Sequence, residues 1–217
     1  MTMVQGSFVK GTLFIVSAPS GAGKTSLLAN LLEQSDTTCL SISHTTRPIR
    51  PGEIDGVNYH FTDRDSFVSQ VKEGRFLEHA EVFGNLYGTS ADWVETTLNK
   101  GMDVILEIDW QGAQQIRRLV PETVSIFVLP PSFDALAQRL RSRGQDNEDV
   151  IAQRLAGARE EISHFSEYDY LVINDEFDRA LADMAAIIRA DRQRMQRQKN
   201  GSLNIISELL AETAITQ

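Results

Sequence analysis

Four short apolar runs, separated by segments with helical spacing, predict the fold class of this chain. The runs are rich in valine and isoleucine and lie at residues 12–17, 104–108, 124–128 and 170–173. Each is bounded on at least one side by apolar residues that recur every three or four positions, as on one face of a helix. Buried strands that alternate with helices form a parallel sheet covered by helices on both faces. The pattern therefore predicts an α/β fold with a three-layer core.

Two more polar regions interrupt this alternation and predict two insertions. Residues 43–100 contain turn motifs and short β-rich pieces, which indicate an inserted lobe. Residues 134–163 have a helical pattern, many arginines and a turn motif at 143–147, which indicate a helical lid. We expect one domain, because 217 residues of which 41% are hydrophobic supply a single substantial core. That core would comprise about residues 1–42, 101–133 and 164–200.

The C-terminal region predicts one long charged helix from Asp178 to Lys199. Gly201-Ser202 then permits a break before a short amphipathic end. The charged face of this helix is either a solvated surface or the contact of a homo-oligomer, and the sequence leaves both interpretations open.

The charge balance argues against broad binding to nucleic acid or to anionic membranes. The chain has 30 acidic and 21 basic residues, a formal net charge of −9. Its one cysteine, Cys39, excludes an internal disulfide and fits a reducing compartment. The longest apolar run near the N-terminus, Leu13–Val16, is too short for a membrane span or a signal-peptide core. We expect a cytoplasmic protein whose anionic ligands meet local basic clusters.

A glycine-rich segment between the first strand and the first helix predicts a phosphate-binding loop. Ala18-Pro19-Ser20-Gly21-Ala22-Gly23-Lys24-Thr25 matches the Walker A pattern, with Ala18 in place of its first glycine. The glycines let backbone N–H groups point inward around phosphate oxygens, and Lys24 adds a full positive charge on the β- and γ-phosphates. The Thr25 hydroxyl can ligate Mg²⁺, with support from Ser26. The segment predicts nucleotide binding but does not name the acceptor, because GTPases, ATPases and small-molecule kinases all use such a loop.

Two arginines follow the second strand, in a proline-stiffened loop of an otherwise acidic chain. Arg47 and Arg50 stand three positions apart in the segment 41–53. Guanidinium forks at this spacing either clamp a second phosphate or form a solvated surface pair.

The chain resembles guanylate kinases along nearly its whole length, through separate motifs in the family's order. The motifs are Ser43-His44-Thr45-Thr46-Arg47, Arg50-Pro51-Gly52-Glu53, Gly56 to Tyr59, Phe76-Leu77-Glu78, Gly84-Asn85-Leu86-Tyr87-Gly88-Thr89, Glu107-Ile108-Asp109-Trp110-Gln111-Gly112, Pro130-Pro131-Ser132, Arg139 to Gly144 and Ile173-Asn174-Asp175. The resemblance implies a nucleoside monophosphate kinase that transfers the γ-phosphoryl group of ATP to GMP, and to dGMP, with Mg²⁺.

Site residues follow from the resemblance, position by position. It implies four side chains on the GMP phosphate: Arg47, Arg50, Tyr59 and Tyr87. It implies four beside guanine: Glu78 on the N1–H and N2–H₂ donors, Ser43 and Thr89 near O6, and Asp109 on the base side. It implies that Lys24 and three lid arginines lie over the transferred phosphate, namely Arg139, Arg143 and Arg154. It also implies that Asn174 lies near the adenine of ATP.

Several roles stay open at this point. Asp109 ends an apolar strand as a Walker B acid does, so a role toward Mg²⁺ stands beside its base-side role, and Glu107 shares that ambiguity. Arg141 and Arg159 are weaker lid candidates. The four histidines have no metal-ligand spacing, and we assign none a catalytic role.

Two rival functions remain. A non-catalytic guanylate-kinase-like binding module is disfavoured by Lys24 and Thr25, which such a module does not need. A kinase of the same fold for AMP, a pyrimidine monophosphate or a ribose bisphosphate is disfavoured by Glu78 and Ser43, which suit guanine.

Overall fold

The structure is a computed structural model that describes residues 9–82, 84–142 and 148–211. Its strands in chain order are β1 (Leu13–Ser17), β2 (Thr38–Leu40), β3 (His44–Thr45), β4 (His60–Phe61), β5 (Phe76–Val82), β6 (Asn85–Ser90), β7 (Asp103–Glu107), β8 (Val124–Leu129) and β9 (Tyr170–Ile173). Its α-helices are α1 (Lys24–Glu33), α2 (Arg64–Lys72), α3 (Ala91–Asn99), α4 (Trp110–Leu119), α5 (Phe133–Ser142), α6 (Glu148–Ser163), α7 (Phe177–Arg192) and α8 (Met195–Ala211). A short 3₁₀ helix spans Phe165–Glu167. Among the described residues, no helix has both the length and the apolar character needed to cross a membrane.

Five parallel strands form the central sheet, in the order β2-β7-β1-β8-β9. The central strand β1 is buried along its whole length, which is why its sequence is a continuous apolar run rather than an alternating one. The four predicted runs appear as β1, β7, β8 and β9, each within one residue of the expected bounds at either end. The predicted parallel α/β fold is confirmed.

Helices cover both faces of this sheet. Successive side chains of a strand point to opposite faces, so Phe14 packs with Leu27 of α1 and Met184 of α7, while Ile15 packs on the side of α3 and α4. All four of these side chains are fully buried. Two hydrophobic clusters therefore hold the helical layers to the sheet, and they fix the carboxyl ends of the strands as the rigid base of a ligand site.

A second sheet is built entirely from residues 44–90, between β2 and β7 in the chain. Its order is β4-β3-β6-β5, with β6 antiparallel to both of its neighbours. Helix α2 packs against it through Phe67, whose ring stacks on Phe76 at a centroid distance of 4.6 Å. Asp63 caps α2 by accepting a hydrogen bond from the Ser66 N–H at 2.8 Å. The short β-rich pieces of this region therefore gain stability by pairing with one another and by burying one aromatic cluster.

The C-terminal helix departs from the prediction. Helix α7 ends at Arg192, α8 begins at Met195, and α8 continues through Gly201. The expectation of one helix to residue 199 with a break at Gly201-Ser202 is wrong on both points. A glycine inside a helix costs only about 1 kcal/mol of stability relative to alanine, and this cost does not end α8, a helix of 17 residues.

Buried carboxylates explain the actual position of the break. Asp103, at the start of β7, is 1% exposed and pairs with Arg192 of α7 at 2.7 Å and with Arg197 of α8 at 3.0 Å. Arg197 also pairs with the buried Asp191 at 3.1 Å. A buried charge requires partners, and the turn at residues 193–194 lets two consecutive helices supply arginines to the same carboxylate.

Candidate active site

The segment 18–23 joins the end of β1 to the start of α1 and forms the predicted phosphate loop. Gly21 and Gly23 have φ angles of 94° and 95°, in the left-handed region that residues with a Cβ rarely adopt. Gly23 is the N-cap of α1, and no side chain caps this helix. The first N–H groups of α1 therefore point along the helix axis toward the loop, where an anion is the favoured partner.

Asn174 and Arg139 hold this loop from the side of α5 and β9. The buried Asn174 donates from Nδ2 to the carbonyl of Ala22 at 2.7 Å. Arg139 donates from Nη1 to the same carbonyl at 3.1 Å and from Nη2 to the carbonyl of Asn174 at 2.9 Å. Both side chains thus contact the loop backbone, and neither lines the cavity described below. Their roles toward adenine and the transferred phosphate stay predictions.

Thr25 and Glu107 present a hydroxyl and a carboxylate at the edge of the loop. Thr25 Oγ1 donates to Glu107 Oε1 at 2.8 Å. Oxygen ligands of this kind suit Mg²⁺, which keeps several waters and takes few protein ligands. Among the described residues no group of three or more His, Cys, Asp or Glu side chains converges on a metal position. The role of Thr25 toward Mg²⁺ stays a prediction.

Asp109 has a different environment from Glu107. It is the N-cap of α4: its Oδ1 accepts from the Gly112 N–H at 2.9 Å, and its Oδ2 accepts from Gln111 Nε2 at 3.2 Å. Its carboxylate lies close enough to Glu78 to help raise the pKa of that group. Glu107 therefore contacts Thr25 of the loop, whereas Asp109 caps α4, and the roles of both carboxylates toward Mg²⁺ and the base stay predictions.

An arginine and two tyrosines face one another on the second sheet. The Arg47 guanidinium pairs with Glu53 at 2.6 Å and lies 5.3 Å from the centre of the Tyr59 ring. Tyr59 and Tyr87 meet edge to face, with centroids 6.0 Å apart. Burial raises the pKa of Tyr59 to about 12, so this phenol is protonated and can donate a hydrogen bond to an anion. Arg50 is exposed, and its backbone N–H donates to the Glu53 carboxylate at 2.8 Å.

Glu78 is a buried carboxylate on β5. It is 3% exposed and accepts a hydrogen bond from Thr89 Oγ1 at 2.6 Å. Desolvation by burial, aided by the charge of Asp109, raises the pKa of Glu78 to about 7, although the Thr89 hydroxyl opposes the shift. A carboxylate held in this way can pair with two neighbouring N–H donors of a purine only when it is ionised.

One cavity of about 630 Å³ joins the phosphate loop to the second sheet. The predicted site residues that line it are the loop 18–25, Ser43, Arg47, Arg50, Tyr59, Tyr87, Asp109 and Arg154. Other predicted residues lie outside its lining: Ser26, Glu78, Thr89, Arg139 and Asn174. Arg143 lies outside the described residues. The structure thus brings the residues of the two predicted phosphate sites into the lining of one cavity, whereas Glu78 and Thr89 are buried and do not line it.

Two carboxylates of the cavity were not predicted from the sequence. Glu53 pairs with the Arg47 guanidinium and accepts a hydrogen bond from the Arg50 backbone N–H. Its place in the same short motif as the two arginines is the sequence signal that could have predicted this role. Glu161 of α6 accepts a hydrogen bond from the N–H of Ser20 in the phosphate loop at 3.0 Å. No local pattern indicates Glu161, because it is one of two consecutive glutamates on a charged helix and its partner is 141 positions away.

Gly112 leaves the space that the Glu78 carboxylate occupies. A Cβ on Gly112 would lie 2.7 Å from Glu78 Oε2, closer than a real Cβ contact, so the carboxylate would have to shift. We expect Gly112→Ala to raise the KM for GMP roughly tenfold, because small misplacements of a binding group are costly. The KM for ATP serves as the internal control and should not change.

Thermal unfolding separates this effect from a folding defect. Alanine suits a helix better than glycine by about 1 kcal/mol, which opposes the cost of moving the Glu78 carboxylate, so the melting temperature of Gly112→Ala should change little. An unchanged KM for GMP would show that GMP binding does not depend on the position of the Glu78 carboxylate.

Comparison with known proteins agrees with this geometry. The guanylate kinase family model matches residues 10–191. The chain is 64% identical to the guanylate kinase of Alcanivorax borkumensis over 93% of this chain and 98% of that protein. It is 60% identical to the guanylate kinase of Vibrio cholerae over 94% of this chain and 99% of that protein.

A solved structure gives the same result. The crystal structure of guanylate kinase from Anaplasma phagocytophilum superposes with a TM-score of 0.73 at 36% identity, over 87% of this chain and 90% of that chain. The family match takes in the phosphate loop, the second sheet, α5 and α6 together. With the fold and these relatives in agreement, the chain belongs to the guanylate kinase family.

Proposed function

We propose that the protein transfers the γ-phosphoryl group of ATP to GMP, and to dGMP, giving ADP and the nucleoside diphosphate in purine nucleotide metabolism. One observation carries this proposal: one cavity is lined both by the phosphate loop and by Arg47, Tyr59 and Tyr87. A donor phosphate and an acceptor phosphate bound by these two groups of residues would face each other across that space. Direct transfer requires such an in-line arrangement.

The donor half of the site neutralises charge. Loop N–H groups and the Lys24 ammonium would hold the β- and γ-phosphates of ATP while negative charge builds on the bridging oxygen. Thr25, with Glu107 acting through water, would hold Mg²⁺. When bound, this ion supplies further charge neutralisation on the phosphate oxygens.

The acceptor half orients the attacking phosphate of GMP. Arg47 and Arg50 would supply charge, and the phenols of Tyr59 and Tyr87 would supply directed donors. Glu53 already holds Arg47 in place, so little side-chain entropy is lost when the phosphate binds. Phosphoryl transfer of this kind needs no histidine base, because positioning and charge stabilisation dominate.

Base selection would come from the buried side of the second sheet. Glu78 would accept from the guanine N1–H and N2–H₂, with Ser43 and Thr89 near O6 and Asp109 beside the base. Adenine has an acceptor at N1, so it would leave the buried carboxylate partly unpaired, at a cost of about 1–3 kcal/mol for each lost bond.

Helices α5 and α6 would act as the lid. We infer that Arg139, Arg143 and Arg154 approach the transferred phosphate when the lid closes and that closure excludes water, a competing acceptor. Arg139 would first have to exchange its bonds to the carbonyls of Ala22 and Asn174. Arg154 already lines the cavity.

The remaining assignments follow from this function. We propose a single domain with a core of about 1–42, 101–133 and 164–200, a GMP-binding lobe of about 43–100 and a lid of about 134–163; the second sheet within residues 44–90 supports this division. The formal charge of −9 supports nucleotides rather than nucleic acid as partners, and the single cysteine suits the cytoplasm. Association of copies through the C-terminal helix stays a prediction.

A panel of acceptors tests the proposal. The purified protein is mixed with ATP and Mg²⁺ and with GMP, dGMP, AMP, CMP, UMP or a ribose bisphosphate in turn, and ADP formation is followed. We expect GMP to give the highest kcat/KM. A faster reaction with another acceptor would mean that the guanine contacts are misassigned. Binding of ATP without stimulation by any acceptor would favour the non-catalytic module.

A further inference from the structure

Glu161 is a carboxylate inside the cavity that the reaction described above does not use. It lies on α6, and its Oε2 accepts the N–H of Ser20 at 3.0 Å. It lines the same cavity as Lys24 and Asp109. Burial raises the pKa of Glu161, and Asp109 acts in the same direction, while the Ser20 N–H and the Lys24 ammonium act against this shift.

The position of Glu161 on its helix is shared with other cavity residues. Val150, Gln153, Arg154 and Glu161 all line the cavity, at spacings of three, four and seven along α6. These spacings define a single helix face. This face therefore brings both a cation, Arg154, and an anion, Glu161, to the cavity that the phosphate loop lines. The affinity for an anionic ligand depends on which of the two charges lies nearer to it.

A carboxylate oxygen and a phosphate oxygen are equivalent partners for a loop N–H. Both are anionic acceptors that suit the positive potential of a glycine-rich loop at a helix N-terminus. They repel each other strongly when they share a site from which water is largely excluded. In this structure the Ser20 N–H is already bonded to Glu161.

We propose that the Glu161 carboxylate occupies part of the ATP phosphate site, so that the triphosphate binds by displacing it from the Ser20 N–H. Glu161 thereby holds the loop in place before ATP arrives and lowers the affinity for ATP once it does. The inference rests on the proposed use of this loop for ATP, and it concerns a residue of α6 that acts through the loop rather than on the transferred phosphate.

The charge alone is removed by Glu161→Gln, because the amide oxygen of glutamine can still accept the Ser20 N–H. We expect this variant to bind ATP on the order of tenfold more tightly than the wild type, since one repulsion between close charges is lost. Glu160→Gln is the matched control: it makes the same change of net charge at the exposed neighbouring position. ATP affinity of the control should be close to that of the wild type.

Isothermal titration with ATP and Mg²⁺ in the absence of GMP gives the dissociation constants without turnover. An ordinary structural anchor would have a different signature: the glutamine oxygen keeps the hydrogen bond to Ser20, so ATP affinity would stay equal, or would fall where the neutral amide holds the loop less firmly. Equal or weaker binding by Glu161→Gln would therefore overturn the inference. If Glu161→Gln does not fold, Glu161→Ala replaces it and removes both the charge and the hydrogen bond to Ser20. Tighter ATP binding by this variant would support the inference, because loss of an anchor alone weakens binding, and equal or weaker binding would overturn it.

Failure of the inference differs from failure of the proposed function. If the wild type binds ATP and phosphorylates GMP but Glu161→Gln gains no affinity, the function stands and Glu161 is only an anchor. If the wild type does not bind ATP, the loop has another ligand and both statements fall.

Discussion

Replacing Lys24 by methionine is expected to lower kcat by about 10³-fold, the usual size of losing one preorganised charge from a transition state. Lys24 opens α1 and lines the cavity, next to the loop N–H groups. Methionine retains most of the length of the side chain but cannot neutralise the charge that develops as the γ-phosphoryl group leaves. Steady-state rates of ADP formation with saturating ATP and GMP measure this loss.

The KM for GMP distinguishes this effect from general damage. GMP would bind to the acceptor residues of the cavity, so its KM should change little in Lys24→Met. Lys72→Met, at an exposed position of α2, is the matched control and should retain wild-type kinetics. A kcat within threefold of wild type in Lys24→Met would contradict the assignment of the loop as the donor site.

The second large effect is expected at Glu78. In Glu78→Gln the amide places a donor where guanine also has donors, so two charge-assisted hydrogen bonds are lost. At about 1.5 kcal/mol for each bond, kcat/KM for GMP should fall about 10²-fold. The preference for GMP over AMP should fall in proportion, because the residue acts on the base and not on the phosphate.

The fold should tolerate this substitution. Glu78 is a buried carboxyl group whose charge is costly in its site, and the glutamine oxygen can still accept from Thr89 Oγ1. The melting temperature should therefore stay equal or rise. Glu81→Gln, at an exposed position on the same strand, is the control and should leave base preference unchanged. An unaltered ratio of GMP to AMP activity in Glu78→Gln would remove Glu78 from guanine recognition.

The pH dependence provides an independent test of the same residue. Burial raises the pKa of Glu78 to about 7, and only the ionised form accepts both guanine donors. The kcat/KM for GMP should therefore decline as the pH falls through about 7, because kcat/KM follows the protonation of the free enzyme. The phosphates of the substrates titrate in the same way in assays of the wild type and of Glu78→Gln. The difference between the two pH profiles of kcat/KM therefore reports the ionisation of the Glu78 carboxyl group.

Features that depend on a few consecutive residues could be predicted from the sequence. The strands β1, β7 and β8 appear where continuous apolar runs required burial on both faces. The fourth run forms the edge strand β9, in which Leu171 and Ile173 are exposed. The phosphate loop appears where Gly21 and Gly23 permitted left-handed backbone next to a helix start. In both cases the residues of the short segment are themselves the physical cause of its conformation.

The C-terminal break shows where local reasoning fails. Gly201 is a weak helix former, yet α8 continues through it, and the chain turns instead at residues 193–194. The deciding group is the buried Asp103, about ninety positions earlier, which pairs with arginines from both helices. A helix propensity of about 1 kcal/mol is outweighed by the need to pair a buried charge.

The sequence by itself therefore determined the α/β class and the glycine-rich loop between β1 and α1, because spacing and residue chemistry act within short segments. The tertiary structure alone decided that Glu107 rather than Asp109 meets Thr25, and that Glu161 meets Ser20. These pairs are 82 and 141 positions apart. Such contacts depend on the order of strands in the sheet and on the packing of α6 over the loop, which no local pattern specifies.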